Sequence, residues 1–559
     1  MNVQATKKTD RATVAEDSNL LSSAAAAKNS MQTHRILMLG LTLAVIYQII
    51  LLIIVGWQNR YVLNHPDGVF YVRIASYYSN GQLDLAITGY WGPLFSWLIA
   101  PLLRLVEHPL FAARIVMGFS AVVFLLGCAS VLRSFEIHPA GQIFGTWLVA
   151  LVSVAWSVES TTPDLLMSGL MCFAIARMVS RQWLHSRTHQ LAAGMFWGFA
   201  YLAKPVAFPL AFMIGGAITI LWSLSNSRLI AMRSLVKTLF TFILIASPWI
   251  LTLSMKYKSL VFSTSGKINH AVVGPPDVER FHPHSKVFHK PETGRMTAAE
   301  DPINMPYHYW SPFEKWDYAK YQLLLIGRNI KVAITHLSGF SSFSLGLLMT
   351  IVGTLLHKPW RLNLSVQRWR WGGIITACIV GIYLPVWAYD LRYYFPAYIF
   401  MLAASFGWVQ TLPVATRGKL NLPSLFGFGV IFLCFAFPLG PALRYAYNPA
   451  AGHKQKSARA YEVAKKLRAA DILGAVAGGP VESLYVAFYT NQPWHGQESI
   501  PTAERFKASL AELVIVNRYQ AVVDELDQDS SFVNLDCILF GNKEVAEEFP
   551  LKVYRIAHP

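Results

Sequence analysis

The amino-acid sequence predicts a mainly α-helical protein that crosses a membrane many times and ends in a small α/β domain. Two observations support this fold class. Hydrophobic residues make up 54% of the 559 residues and charged residues only 14%, a balance too apolar for a set of soluble domains. The apolar residues are also gathered into long runs separated by short polar turns, as membrane-spanning helices require.

About eleven apolar runs are predicted to be spans, each near the length that a helix needs to cross about 30 Å of hydrocarbon. They are residues 36–56, 115–132, 143–158, 165–179, 191–203, 206–224, 238–253, 337–356, 372–387, 395–412 and 425–443. Residues 94–106 are left out because they are few and contain Pro101 and Arg104, so we expect them to lie in the membrane interface. If residues 94–106 did span, the sidedness of everything downstream would invert.

Basic residues predict the orientation of the spans in the membrane. The short loops and helix ends of one side carry thirteen of them against the single acid Glu136. They are Arg133, Arg177, Arg181, Arg187, Arg228, Arg233, Lys237, Lys358, Arg361, Arg368, Arg370, Arg417 and Lys419. By the positive-inside rule the N-terminus is cytoplasmic, and the odd number of spans places the C-terminus on the outer or periplasmic side of the plasma membrane. The net charge of +17 is therefore explained without a nucleic-acid partner.

The chain divides into three predicted parts. Residues 1–35 form a polar tail without aromatic residues, which we expect to be disordered on the cytoplasmic side. Residues 36–444 form the transmembrane domain, with outer loops at 57–110 and 256–336. The first apolar run lacks a small-residue cleavage site, so it is expected to be an anchor and not a removed signal peptide.

Residues 445–559 are predicted to form an outer-face α/β domain. Ser457–Ala470 and Thr502–Glu512 have amphipathic helical patterns, and Ala521–Asp524 and Leu551–Ile556 are predicted strands. Neither GxGxxG in a strand–helix context nor a P-loop occurs. The five cysteines suggest no disulfide framework or CxxC metal site, so no cofactor is expected.

Two acids at outer turns have alternative interpretations. Asp67 lies between Pro66 and Gly68 before an amphipathic helix, and Asp164 precedes the apolar stretch LLMSGLM. Taken alone, each is best interpreted as a helix N-cap. Asp67 is also our candidate catalytic group, since an outer loop can hold an ionised acid without burying it in hydrocarbon.

Other polar residues at the predicted outer face are individually uninformative. Lys204 lies where one span ends and the next begins, and a lone lysine there usually extends towards the membrane boundary. Asp390 and Arg392 occupy another outer turn, whose tyrosines are typical of an interfacial belt. The histidines His282, His284 and His289 match no standard metal motif, so a solvated loop is the favoured interpretation.

Taken in order, these segments resemble the C-type glycosyltransferase superfamily. The resemblance rests on HPDGVFYVRIA, GYWGPLFSWL, AARIVMGFSAV, ESTTPDLLMSGL, GFAYLAKPVAF, SPWILTLSMKY and DLRYYFPAYIFML. It is nearest to the branch that contains protein O-mannosyltransferases and the lipid A aminoarabinose transferase. It covers most of the chain to about Phe400 and departs from the family where Gly68, rather than a second acid, follows Asp67.

The resemblance implies an inverting transfer of a sugar from a polyprenyl-phosphate carrier to a lipid, glycan or protein acceptor at the outer face. Asp67 would be the catalytic base. Substrate binding is assigned to Asp164, Lys204, Arg392, Glu159 and Arg73, and no residue is assigned to a metal.

Two other classes of function remain as alternatives. A transporter or flippase of lipid-linked sugars would show ionisable residues at mid-membrane and two related halves, and the sequence shows neither. A non-catalytic envelope assembly protein would not need its outer acids.

Overall fold

A computed structural model describes residues 3–282, 287–356, 367–387, 389–411, 422–448, 453–541 and 543–557. About 70% of the chain is helical, which confirms the mainly α fold class. The helices before the C-terminal domain are α1 Val3–Gln58, α2 Pro66–Ser79, α3 Leu83–Ala86, α4 Pro93–Leu102, α5 Pro109–Ser134, α6 Pro139–Glu159, α7 Asp164–Val179, α8 Arg187–Ala203, α9 Ala207–Ser223, α10 Arg228–Tyr257, α11 Ser265–Val272, α12 Trp316–Ser338, α13 Leu345–Leu356, α14 Gly372–Gly381, α15 Phe395–Thr411, α16 Leu422–Ala436 and α17 Leu439–Tyr447. Short 3₁₀ helices cover Arg181–Leu184, Ala298–Glu300, Pro302–Asn304, Ser342–Ser344, Arg368–Trp371 and Leu391–Tyr394.

Four helices of the described residues are long and apolar enough to cross a membrane: Met31–Gln58 within α1, and α5, α6 and α10. A fifth span results if α12 and the following helix, which are bent by 109° to each other, count as one. The protein is thus a multi-pass membrane protein, but the predicted number of about eleven spans is not confirmed. Several predicted spans are short helices, such as α7 with 16 residues and α14 with 10.

The segment predicted to lie in the interface forms the ten-residue helix α4. At about 1.5 Å per residue it extends roughly 15 Å, half the thickness of the hydrocarbon core. The interfacial position of residues 94–106 stays a prediction. The predicted span 337–356, in contrast, has wrong limits, because α12 ends at Ser338 and α13 begins only at Leu345.

The N-terminal tail is part of the first helix in the structure. Residues 1–35 were expected to be disordered, whereas α1 begins at Val3 and continues without a break to Gln58. The tail contains the run SSAAAAK, and alanine has the highest intrinsic helix propensity. This composition favours a helix, while the predicted disorder of the tail on the cytoplasmic side stays a prediction.

The C-terminal region is the predicted α/β domain. It comprises α18 His453–Ala469, β2 Val476–Gly478, α19 Glu482–Thr490, β3 Trp494–Gln497, α20 Ala503–Ala508, β4 Leu513–Asn517, α21 Val522–Gln528, β5 Phe532–Asn534, α22 Asp536–Phe540, α23 Lys543–Glu548 and β6 Leu551–Ile556. Together with β1, which is Val287–Phe288, these strands form a sheet of order β1-β3-β2-β4-β6-β5, in which β2 pairs in parallel with β3 and β4. Strand β1 comes from the 256–336 loop and pairs with β3, so the loop and the domain share one sheet.

Two details of this domain correct the predictions. The expected strand Ala521–Asp524 lies at the start of helix α21, and the expected helix Thr502–Glu512 is reduced to α20. The predicted strand Leu551–Ile556 and the helix expected at Ser457–Ala470 are present as β6 and α18.

Close helix packing fixes the turn that carries Asp164. A Cβ atom added to Gly127 of α5 would lie 2.4 Å from the carbonyl oxygen of Gly169 in α7. Only glycine allows the two backbones to approach so closely, a common device between membrane helices. Helix α7 begins at Asp164, so this contact one turn later fixes the helix that carries Asp164 against α5.

Candidate active site

A cavity of about 580 Å³ lies where several connecting segments meet. Its walls come from the start of α2, the turn before α7, the turn between α8 and α9, α11, and the segment between α14 and α15. The lining includes His65, Asp67, Tyr71, Tyr90, Trp91, Asp164, Lys204, Ser263, Ser265, Lys267, Asp390, Arg392 and Tyr393. Segments far apart in the sequence thus bring three carboxylates and several cationic groups together.

Arg392 is the centre of this cluster. Its Nη2 atom lies 2.7 Å from Oδ2 of Asp67, and its Nε atom lies 2.8 Å from Oδ2 of Asp390. Its Nη1 atom is 3.9 Å from Oδ2 of Asp164. Burial alone would lower the pKa of Arg392, but Asp67, Asp390 and Asp164 raise it well above its ordinary value, so the guanidinium is a fixed positive charge.

Lys204 forms the second ion pair of the cavity. Its Nζ atom lies 2.5 Å from Oδ1 of Asp164, whose side chain is 1% exposed. The same ammonium lies 4.5 Å from the centre of the Tyr393 ring, which is within the range of a cation–π contact. Asp164 therefore bridges the two cations, Lys204 and Arg392.

The structure decides against the N-cap interpretation of both acids. His65, not Asp67, caps α2, with its Nδ1 atom accepting the amide N–H of Asp67 at 3.2 Å. Pro163 precedes α7, and the Asp164 carboxylate pairs with Lys204. Both carboxylates lie in the first turn of a helix and interact mainly with cations.

Two glycines allow the segments of the site to meet. A Cβ atom on Gly68 would lie 3.2 Å from the carbonyl oxygen of Thr161, and one on Gly92 only 2.4 Å from that of Ala203. Gly68 thus lets α2 approach the turn before α7, and Gly92 brings the loop of Trp91 against the residue before Lys204. The Gly68 contact gives a steric reason for the absence of a second acid after Asp67.

Solved structures with a similar fold were found over nearly the whole chain. ArnT from Cupriavidus metallidurans bound to undecaprenyl phosphate aligns with a TM-score of 0.54 at 13% identity, covering 92% of this chain and 97% of that chain. The archaeal oligosaccharyltransferase AglB from Archaeoglobus fulgidus, in complex with an inhibitory peptide and a dolichol-phosphate, aligns with a TM-score of 0.53 at 12% identity, covering 91% of this chain and 72% of that chain. The sequence matches no protein-family model and no curated protein.

The protein shares its fold with ArnT and AglB. The resemblance predicted from the sequence is thereby confirmed for the fold. Identities of 12–13% show a shared fold and no shared substrate.

Two of the residues predicted to bind substrate do not line the cavity. Arg73 points towards the 256–336 loop, where its Nε atom is 3.8 Å from Oε1 of Glu300, and it also donates to Asn491 of the C-terminal domain at 2.8 Å. Glu159, at the end of α6, lines a separate cavity of about 320 Å³ with mainly apolar walls. Substrate binding by Arg73 and Glu159 stays a prediction.

Glu300 is a buried acid that sequence reasoning missed. Its carboxylate is inaccessible to solvent and accepts a hydrogen bond of 2.8 Å from the hydroxyl of Tyr77 in α2. Burial raises the pKa of Glu300 to about 7, although Arg73 and Arg295 oppose the shift. The carbonyl of the preceding residue, Ala299, accepts a hydrogen bond from the Trp91 indole, so this part of the loop supports the cavity wall.

Lys267 is the second missed group. It lines the cavity from α11, and its ammonium lies 4.0 Å from the centre of the Tyr309 ring. Among the described residues no carboxylate lies within ion-pair distance of Lys267. Next to it, the hydroxyls of Ser263 and Ser265 are 2.9 Å apart and also line the cavity.

The histidines of the 256–336 loop form no metal centre in the part of the chain that the structure describes. No group of three or more His, Cys, Asp and Glu side chains there could hold a metal ion. His282 lines the cavity, the backbone of His289 bonds to His495, and His284 lies outside the described residues.

Proposed function

We propose that the protein is an integral membrane glycosyltransferase that moves a sugar from a polyprenyl-phosphate carrier to an acceptor. The observation that carries this proposal is the cluster of Asp67, Asp164, Lys204 and Arg392, which reach one cavity from four separate segments of a C-type fold. A carboxylate beside fixed cations provides a base and an anion-binding site in the same place.

The donor phosphate is proposed to bind on the cationic side of the cavity. Two cations, Lys204 and Arg392, face three carboxylates within 4 Å, so this inner cluster alone has a surplus negative charge. Lys267, with the hydroxyls of Ser263 and Ser265, adds a cation that is not matched by a nearby carboxylate among the described residues. We therefore assign Lys267 to the phosphate and Lys204 to charge that develops on the phosphate as the bond to the sugar breaks.

Asp67 is proposed to act as the general base. It lines the cavity, its side chain is 12% exposed, and Arg392 fixes its orientation through Oδ2. The base would take the proton of the acceptor hydroxyl while the hydroxyl oxygen attacks the anomeric carbon opposite the leaving phosphate. Displacement from the opposite face inverts the anomeric centre.

The apolar walls of the cavity suit the lipid part of the donor. Val206 and Pro209 border it at the start of α9, and Ile382, Val386 and Trp387 border it after α14. A polyprenyl chain could leave the cavity between these segments and lie among the membrane helices. Closure of the 256–336 loop over the polar end would limit hydrolysis of the donor by water.

No cofactor is part of the proposal. Each of Asp67, Asp164 and Asp390 lies within 4 Å of an Arg or Lys side chain. Internal cations can therefore supply the positive charge that a divalent metal would otherwise bring, and transfer is proposed to be metal-independent or only weakly metal-dependent.

The site is proposed to face the outer or periplasmic side of the plasma membrane, with the N-terminus cytoplasmic. The basic loops described above support this orientation. Cys537 is exposed in the C-terminal domain, whereas Cys128, Cys172, Cys378 and Cys434 lie in apolar helices. A membrane-impermeant maleimide should label Cys537 in intact cells and should not label a Cys537→Ser variant. Labelling of Cys537 only after permeabilisation would indicate the opposite orientation.

The function is tested by transfer of a labelled sugar from polyprenyl-phosphate donors in proteoliposomes, with lipid, glycan and peptide acceptors supplied in parallel. We expect sugar transfer that requires the protein and that falls when a residue of the cluster of Asp67, Asp164, Lys204 and Arg392 is replaced. An Asp84→Asn variant removes an exposed acid of the same outer segment and should keep full activity. Movement of the donor lipid between leaflets without sugar transfer would instead favour a flippase, and activity that survives loss of Asp67 would contradict the proposed base.

A further inference from the structure

His65 lies between two carboxylates of the cavity. Its Nδ1 atom is 3.5 Å from Oδ1 of Asp67, and its Nε2 atom is 3.7 Å from Oδ2 of Asp390. The imidazole lines the cavity and keeps 24% of its side-chain surface exposed. A third group faces it from the C-terminal domain, the His453 ring, at 6.4 Å between ring centroids.

The simplest role for His65 is that of a helix cap, and the chain repeats this motif. His65, His108 and His138 each precede a proline and cap a helix, with Nδ1 accepting the amide N–H two residues later at 3.2–3.3 Å. A cap therefore requires only the His–Pro pair. It does not require any contact between the other ring nitrogen and an acid.

The surroundings separate His65 from the other two caps. Among the described residues, neither His108 nor His138 has a carboxylate within ion-pair distance. Instead, His108 packs on Tyr61 and His138 stacks on Phe428. Burial lowers the pKa of both His108 and His138, whereas carboxylates beside a histidine favour its charged form.

Asp67 needs a partner of this kind if it is the base, a role that rests on the proposed function. The ion pair between Asp67 and Arg392 stabilises the ionised carboxylate and so weakens it as a proton acceptor. Its Oδ2 atom is committed to Arg392, while Oδ1 faces the imidazole. A proton taken up at Oδ1 therefore has a stronger base, the neutral imidazole, directly beside it.

We infer that His65 is a positioning and relay residue, which accepts the acceptor's proton from Asp67 and holds it between Asp67 and Asp390. The acceptor O–H bond breaks as its oxygen attacks the sugar, and the proton moves to Oδ1 of Asp67. It then passes to Nδ1 of His65, whose lone pair exchanges its hydrogen bond from the Asp67 amide for the proton, and this restores the Asp67 carboxylate and gives an imidazolium. The imidazolium directs Nε2–H to Asp390 and releases the proton to water at its exposed edge, so the charge of the site is restored after each turnover.

A titration that needs no turnover tests the coupling. Full-length protein with ¹³C-labelled histidine is titrated in detergent micelles by NMR, and the His65→Asn variant assigns the His65 signal among the sixteen histidines. We expect the His65 midpoint to lie above those of His108 and His138 and to fall in Asp67→Asn and in Asp390→Asn. A His65 midpoint that neither substitution changes would overturn the inference.

The pH dependence of sugar transfer tests the relay itself. Neutral His65 is needed to accept the proton, so the wild-type rate should rise with pH through the His65 midpoint. The His65→Asn variant keeps a side-chain oxygen that can cap α2 but lacks the relay group. Its rate of sugar transfer should therefore fall about tenfold or more, and the rise of that rate with pH through the His65 midpoint should disappear. His108→Asn and His138→Asn are matched cap controls and should keep the wild-type profile.

A His65→Asn enzyme with the wild-type rate and pH profile would show that His65 is only a cap. Absence of transfer by the wild-type protein would contradict the proposed function, and the NMR titration would then still decide whether His65 is coupled to Asp67 and Asp390. The two failures are therefore distinguishable.

Discussion

Removal of the Arg392 guanidinium should destabilise the folded protein as well as slow sugar transfer. The guanidinium lies 2.7 Å from Asp67, 2.8 Å from Asp390 and 3.9 Å from Asp164, and it is 7% exposed. Arg392→Gln would leave these carboxylates close together without their shared cation. Breaking a buried ion pair by removing one partner costs about 3–5 kcal/mol, and the cost here should be in that range because three acids lose the same partner.

A double-mutant cycle measures this cost and assigns it to the cluster. Thermal unfolding in detergent micelles is compared for Arg392→Gln, Asp67→Asn and the double variant. The double variant should be more stable than Arg392→Gln alone, because Asn removes one of the uncompensated charges, with a coupling energy of about 1–3 kcal/mol. Arg104→Gln is the control, since Arg104 is exposed and donates to the carbonyl of Ser79.

An unchanged unfolding temperature for Arg392→Gln would refute this reasoning, as would strict additivity in the cycle. Either result would mean that the cluster is hydrated enough for its charges to be independent.

Three further predictions concern the cavity walls. Because the pKa of Glu300 is raised to about 7 in the folded protein, the contribution of Glu300 to stability should be greatest below about pH 4.5 and fall by roughly 3 kcal/mol as the pH rises to 7. The difference in unfolding temperature between wild-type protein and Glu300→Gln should change accordingly across this pH range. Lys267→Ala should raise KM for the lipid donor about tenfold or more with little change in unfolding temperature, and an unchanged KM would separate Lys267 from the phosphate. Gly92→Ala should lower the unfolding temperature and the transfer rate, since its Cβ would lie 2.4 Å from the Ala203 oxygen, whereas Gly216→Ala has open space and should be tolerated.

Much of the site could be predicted because its residues lie at turns between apolar runs. Asp67, Asp164, Lys204 and Arg392 each occupy such a turn, and turns at one face of a helical bundle meet in space. Their shared cavity agrees with the prediction, while their chemical roles stay predictions. The sequence could not show that Asp67 and Asp164 bind cations instead of capping helices, because that depends on contacts between turns far apart in the chain.

Arg73, one of the residues predicted to bind substrate, lies six positions after Asp67. Six residues along a helix correspond to a rotation that places the two side chains about 120° apart, so Arg73 faces Glu300 instead. Lys267 and Glu300 were missed because the 256–336 loop that contains them has no periodic sequence pattern. In the structure this loop is positioned by strand β1 and by the hydrogen bond between Trp91 and Ala299.

The fold class and the C-terminal domain followed from composition and periodicity, but the number of spans did not. Helices such as α7 and α14 are too short to be assigned as spans by length alone, and the bend after α12 interrupts a continuous apolar pattern. Hydropathy indicates where a chain is apolar, while tertiary packing decides where each helix begins and ends.

Sugar transfer by Asp67→Asn protein tests the central claim most directly. His65 caps α2, so the substitution leaves the cap in place, and Arg392 keeps its contact with Asp390. Variant and wild-type proteins are compared in the same proteoliposomes at matched amount and thermal stability. The proposed mechanism predicts that transfer falls by about 10²- to 10⁴-fold because the base is lost, whereas near-normal transfer by the variant would contradict it.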